Sequence, residues 1–273
     1  MMRRGIALII AAHSIVGVGA ASAQTIWDDP AFALYQKGVE ALNKKDFETA
    51  DRLAGEAIQQ YGTHVLAYYL RAQAAIAQSK WEAAAAALKK VNELYPTSFA
   101  GQRDLGLVYQ QMGRIDDATR AYKAALALRP DQEDLSVRLA FMLVKENQDD
   151  RAEPILQQLA DKDSKIPEVW LALGRIAYER GEYATTEKAF TRALTLRDDG
   201  RTWFNLGVIR FKQNNTKGAL EAFERAAKHA ETKEQAAREI DKLRTAAKGD
   251  AGPAREMQKP GSTSVQPTSP PRY

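Results

Sequence analysis

Catalysis needs nucleophiles, acid–base groups or metal ligands brought together, and this chain of 273 residues holds few of them. It has no cysteine, which removes disulfides, thiolate catalysis and cysteine-based metal sites, along with any lipidated cysteine anchor. Of its three histidines, His13 lies in an apolar leader. His64 and His229 fall in the first and last of the chain's repeated units, at opposite ends of the stack those units are expected to form, so they are not expected to share a metal within one chain. Four acid pairs could in principle do general acid–base work: Asp28-Asp29, Asp116-Asp117, Asp149-Asp150 and Asp198-Asp199. Each sits at an expected helix start or turn, where a carboxylate caps backbone amides and complements the helix dipole. No glycine-rich phosphate loop, HExxH or GxSxG occurs in the sequence. The expectation is a protein that is not an enzyme and carries no metal and no cofactor.

The termini carry their own signals. MMRRGIALIIAAHSIVGVGAASAQ opens with Arg3 and Arg4, continues through a mostly apolar Ile6 to Ala20, and offers Ala21-Ser22-Ala23 before Gln24. These are the three parts of a secretory signal over residues 1–23. A spanning anchor would need roughly 20 apolar residues, and His13 and Ser14 interrupt this run. The expectation is cleavage and export, with a periplasmic or secreted location and no stable membrane insertion afterwards. The net charge of +4 falls to nearly zero over Gln24 to Lys248, because the leader and the tail hold most of the excess. That argues against a nucleic-acid partner despite a basic isoelectric point.

The elements that would position any site come from a stretch in mid-chain. Phe99 to Gln132 reads FAGQRDLGLVYQQMGRIDDATRAYKAALALRPDQ. Leu105-Gly106 and Tyr109 precede a break at Gly113, Ala118, Tyr122 and Ala125 share a face of a second helix, and Pro130 closes the unit. Carried outward in 34-residue steps, this register gives units at 31–64, 65–98, 99–132, 133–166, 167–199 and 200–233. The eighth position holds Gly38, Ala72, Gly106, Ala140, Gly174 and Gly207, all small. At a background of about one small residue in four, six of six is roughly one accident in several thousand. The twentieth position, with Ala50, Ala84, Ala118, Ala152, Thr186 and Ala219, is expected to face it across the helix pair. Leu88, Tyr122, Leu156, Phe190 and Phe223 fill position 24 and should supply the core.

This pattern resembles the tetratricopeptide repeat family. The resemblance implies an all-α fold, an α-solenoid of about six helix-turn-helix repeats. Departures from the pattern are local. Ala54 thins the core of the first repeat, Arg71 replaces a leucine in the second, and 133–166 is the least regular repeat, with Ser136, Leu143 and Leu159 at atypical positions. Pro154 removes a backbone donor from its second helix, and Asp150 with Glu153 reads as a capping box. Beyond the sixth repeat, 234–248 carries one apolar stripe of Ala236, Ala237, Ile240, Leu243 and Ala247 and suits a capping helix. A partner helix is the alternative use of that stripe. A lead-in of 24–30 and a proline-rich tail of 249–273, expected to be disordered, complete the chain.

In the family the concave face is lined by the first helix of each repeat at positions 2, 5, 9, 12 and 13. Mapped here, this implies a partner groove of Tyr35, Tyr69, Gln73, Arg103, Leu107, Phe141, Arg175, Tyr178, Phe204 and Phe211. Val39, Ile76, Gln110, Val137, Val144, Leu171 and Val208 flank them. Position 5 never holds Lys and position 9 never holds Asn, which argues against a clamp for a C-terminal carboxylate. The surface suits an amphipathic helix or an extended apolar peptide, with Arg103 or Arg175 fixing orientation. The functional expectation is an exported scaffold that binds a protein or peptide partner in a bacterial envelope assembly, secretion or export complex. Alternatives are self-association through an end repeat or through Thr232–Lys248, forming a homo-oligomer, and a glycan-binding accessory subunit.

Overall fold

A computed structural model of the chain describes residues 30–248. The leader 1–23, the rest of the lead-in before Pro30, and the tail 249–273 lie outside the described residues. Among the described residues there are thirteen helices and no strand. They pair as α1 (Pro30–Asn43) with α2 (Phe47–Gln60), α3 (Val65–Ala77) with α4 (Trp81–Leu94), and α5 (Phe99–Gln111) with α6 (Ile115–Leu128). There follow α7 (Glu133–Lys145) and α8 (Asp149–Asp161), α9 (Pro167–Glu179) and α10 (Tyr183–Leu196), and α11 (Gly200–Lys212) and α12 (Thr216–Ala226). The last helix is α13 (Lys233–Lys248). The chain divides into two compact units between Leu135 and Ser136, within α7. Each unit is a stack of helical hairpins of the α-solenoid class.

One backbone device makes every hairpin. The fifteenth residue of each repeat is left-handed: Lys45, Ser79, Gly113, Asn147, Gly181 and Asn214 have φ of 63°, 56°, 70°, 55°, 76° and 62°. A residue with a Cβ in this region generally costs about 1–2 kcal/mol; Asn147 and Asn214 tolerate it as Asn does, so it is at Lys45 and Ser79 that the packing of the hairpin overrides local preference. Asp163, at φ 54°, is a further left-handed residue between α8 and α9, in the repeat that departs most from the pattern.

In three hairpins the eighth residue meets the ring at position 24 most closely, rather than position 20, whereas Gly38 in the first meets Leu70 of α3 and then Leu53 and the Ala50 carbonyl. A Cβ built on Gly106 would lie 2.4 Å from the Tyr122 ring, and one on Gly174 or Gly207 would lie 2.5 or 2.6 Å from Phe190 or Phe223. The rings need the room, and only glycine leaves it. Repeats with Ala at position 8 carry Leu88 or Leu156 instead of a ring at 24. In the first repeat, where Ala54 leaves the core thin, Leu70 from α3 reaches in and joins Ala41, Ala50, Ala54 and Ala74. The leucines and rings at position 24 are all buried and each contributes about 1.5–3 kcal/mol.

Neighbouring hairpins are fastened by ion pairs as well as by apolar packing. Arg71 on α3 reaches Asp51 on α2 at 2.9 Å, Arg175 on α9 reaches Asp149 on α8 at 2.6 Å, and Arg210 on α11 reaches Glu187 on α10 at 2.7 Å. Arg71, out of place as a core leucine, is exposed and finds its role here.

The two end helices show how stacking stops. Ala67 and Ala74, at positions 3 and 10 of α3, are buried with Ala57 and with Ala50 and Ala54 of the preceding repeat, and Val169 and Ile176 at the same positions of α9 are buried too. In α1 the matching Ala33 and Glu40, with Lys37 between them, are exposed. Helix α13 continues the register beyond α12: Ala236, Ile240 and Leu243 fall at positions 3, 7 and 10 and are buried with Phe204, Val208, Phe223 and Ala226. Its positions 4, 8 and 11, which would face a second helix, are the exposed Ala237, Asp241 and Arg244. It is the backward-facing half of a repeat with a polar front.

Candidate functional site

In unit 1 the first helices α1, α3 and α5 carry a row of half-buried side chains: Tyr35, Val39, Tyr69, Gln73, Ile76, Leu107 and Gln110, with Arg103 exposed. Tyr35 lies with its ring 5.8 Å from Phe32 and 6.0 Å from His64, and burial pushes its hydroxyl up to about 12. His64 is a cap, its Nδ1 accepting from the Ala67 amide at 3.2 Å at the start of α3.

Asp104 ties α3 to α5. Its two oxygens take the Tyr69 hydroxyl and the Arg103 Nε, the latter at 2.8 Å. The carboxylate is buried, so both bonds act in a low-dielectric surrounding where charge-assisted pairs are strong. Burial first and the Asp104 charge second push the Tyr69 hydroxyl far above its ordinary value. Burial works to lower the Arg103 guanidinium, but bonding to Asp104 outweighs it and the net shift is upward. The group is charged at any physiological pH. Two of the expected groove residues, Tyr69 and Arg103, are thus joined by a third that sequence reasoning missed. The register held the signal: Asp104 follows Tyr69 by one repeat and one residue. Arg103 also lies over the Phe99 ring at 5.8 Å, with Arg129 over the same ring at 4.6 Å.

Unit 2 differs. Arg175 is held by Asp149 through two bonds of 2.6 and 2.9 Å and by Glu179 at 2.7 Å. It belongs to the fastening between α8 and α9. Tyr178 is half-buried with its ring 6.1 Å from Tyr183, its hydroxyl raised by burial and then by that neighbour. Lys212 lies 5.6 Å over Tyr183, and Phe211 is half-buried. Phe141 and Phe204 are each 8% exposed, so neither lines an open groove. Phe204 packs on Phe223, ring to ring at 5.2 Å, beneath α13. Val137, Val144 and Val208 are buried too.

Of the acid pairs, Asp28-Asp29 lies outside the described residues, and the other three are mostly side-chain partners rather than caps. Asp199 does cap α11, accepting from the Thr202 amide at 2.8 Å, while Asp198 accepts from the Trp203 indole. Asp117 takes Arg114 and Arg120, and Asp150 and Glu153 both take Arg180 at 3.2 and 2.8 Å. The expected capping box at Asp150 is therefore absent; Gln148 precedes α8 with no side-chain cap. The helix runs through Pro154, which is exposed. Among the described residues no group of three His, Asp or Glu side chains is placed to hold a metal, and no helix is long and apolar enough to cross a membrane.

Comparison with known proteins agrees with this architecture. One tetratricopeptide repeat family model matches residues 35–99 and 171–251, more than half of the chain, and a second matches 109–176. Human tetratricopeptide repeat protein 7B is 31% identical over 113 residues, which are 41% of this chain and 13% of that protein. Among solved structures, YrrB, described as a tetratricopeptide repeat protein with an unusual peptide-binding site, superposes with TM-score 0.55 at 21% identity. That match covers 69% of this chain and 97% of YrrB. A tetratricopeptide repeat protein from Parabacteroides merdae superposes with TM-score 0.51 at 16% identity, covering 79% of this chain and 98% of its own. At these identities the likeness concerns the fold.

Proposed function

Because the chain belongs to the tetratricopeptide repeat family, we propose that it is an exported scaffold whose first-helix face in unit 1 holds a protein or peptide partner in the bacterial envelope. Repeat proteins of this kind are generally non-enzymatic scaffolds. The observation that carries the reading is the row Tyr35, Val39, Tyr69, Gln73, Ile76 and Leu107, half-buried on three successive helices with Arg103 exposed among them. Apolar and aromatic surface with an isolated arginine is what partner helices and strands dock on. The leader of residues 1–23 supports export. The polar fronts of α1 and α13 work against end-to-end stacking of copies, so the scaffold reading is preferred over self-association.

A photo-crosslinking amino acid at Gln73 on α3 tests the partner half, with Lys89 on the exposed side of α4 as the control. One envelope species captured from Gln73 and not from Lys89 is expected. Equal capture from both positions refutes the groove. Export is checked separately, by mass spectrometry of the mature N-terminus. A chain retained in the cytoplasm with Met1 to Ala23 intact refutes that half.

A further inference from the structure

The two groove arginines differ in the donors they have left, and the difference identifies what a partner must bring. A guanidinium carries five N–H groups. Arg175 commits Nη1 to Asp149 and Glu179 and Nη2 to Asp149, with its side chain 21% exposed. Arg103 commits Nε to Asp104 and has the Tyr69 hydroxyl as a further neighbour, but its side chain is 47% exposed and, among the described residues, no carboxylate is hydrogen-bonded to its Nη1/Nη2 fork.

Resting on the reading above that unit 1 takes a peptide segment, we propose that this segment carries an Asp or Glu side chain received by the Nη1/Nη2 fork of Arg103. Apolar side chains then follow across Leu107, Ile76, Tyr69 and Val39. Asp104 does not cancel the site. It lies on the Nε side, so a carboxylate at the fork is closer to the cation than to Asp104, and the interaction falls with distance. The other oxygen of Asp104 is already occupied by the Tyr69 hydroxyl. Arg103 is the charged member of this row. An acid elsewhere along the segment would lose its water and gain no cation, and a base at Arg103 would be repelled. Asp104 and Tyr69 are positioning residues: they hold Nε so that the fork faces outward, which lowers the ordering cost of the bidentate contact.

The test uses the full chain and a random peptide library displayed on phage through the peptides' C-termini, which offers side-chain carboxylates and no terminal one. Enriched sequences are remade as C-terminally amidated peptides for titration. Enrichment of one Asp or Glu beside apolar residues is expected, and its replacement by the amide weakens binding about tenfold. Arg103→Gln should abolish the acid preference and Arg103→Glu should turn it toward Lys or Arg, while Arg175→Gln leaves it in place. With Tyr69→Phe, which keeps the Asp104 charge but removes the hydroxyl that holds it, peptides still bind but the advantage of acid over amide shrinks, a change that loss of stability alone does not produce. Enrichment without an acid preference, a preference that survives Arg103→Gln, or a requirement for a free C-terminal carboxylate each overturns this inference alone. No enrichment on the wild-type chain overturns the peptide-binding reading with it.

Discussion

Replacing Gly106 with Ala isolates the contact that closes the hairpins. In an ordinary helix interior this change stabilises by roughly 0.5–1 kcal/mol, because glycine loses more backbone entropy on folding. Here the new methyl would lie 2.4 Å from Tyr122 Cδ1 and 2.6 Å from Cε1. The ring must retreat by about 1 Å before ordinary van der Waals contact, near 3.4 Å, is restored. It has little freedom to do so. Tyr122 is fully buried, and its hydroxyl donates to Gln110 Oε1 at 2.8 Å. Overpacking of this kind costs about 1–3 kcal/mol and outweighs the entropy gain, so a net loss of about 1–2 kcal/mol is expected. Gly55 on α2 is the control, since nothing lies within 4 Å of a Cβ there. Gly55→Ala should stabilise by roughly 0.5–1 kcal/mol. Urea unfolding followed by far-UV circular dichroism measures both. In a Tyr122→Leu background the penalty at Gly106 should vanish, giving a coupling of about 1 kcal/mol or more. If Gly106→Ala stabilises as much as Gly55→Ala, the ring does not set the eighth position and the packing argument fails.

Other outcomes follow from single sites. Ser79→Gly relieves a left-handed turn at φ 56° and should raise the urea midpoint, by about 1 kcal/mol of stability; an unchanged midpoint means the turn is unstrained. Asp149→Asn strips Arg175 of its bidentate partner and should cost about 1–2 kcal/mol, less at high salt, which a salt series of melts reads directly. The raised hydroxyls of Tyr35 and Tyr69 mean the unfolded chain releases their protons first as pH rises. Their contribution is complete below the ordinary value of 10.0 and is lost on rising through the folded value, about 12 for Tyr35. Tyr69→Phe should flatten that loss, and an equal slope in both proteins would contradict it.

The hairpins were legible because close packing leaves a strict mark on sequence. A residue such as Gly106 has to be small whatever surrounds the repeat, and Tyr122 has to be large. The partner of Gly106 was harder to read, since residues 20 and 24 share a helix face and only side-chain direction separates Ala118 from Tyr122 as the nearer. The groove was legible in address and not in state. Position 5 places Phe204 on the first-helix face, but α13 then covers it, a consequence of a helix that keeps the register after the repeats have ended. Arg103 and Arg175 are alike as letters. One meets Asp104 through Nε with no carboxylate on its terminal nitrogens, the other surrenders both terminal nitrogens to Asp149 and Glu179. Which acid lies within reach of which nitrogen is settled by the approach of neighbouring hairpins, and no residue spacing encodes that.

Helix α13 has a consequence for how such a chain can change in length. It presents Ala236, Ile240 and Leu243 to α11 and α12 as any next repeat would, turns Ala237 and Asp241 to water, and pairs Arg244 with Glu224 of α12 at 2.8 Å. The junction it covers is generic. A whole additional hairpin spliced in between Ala226 and Lys233 would find an apolar surface on one side and offer one to α13 on the other. The number of repeats is then a matter of gene duplication rather than of geometry, and the same terminal helix can close an array of any length.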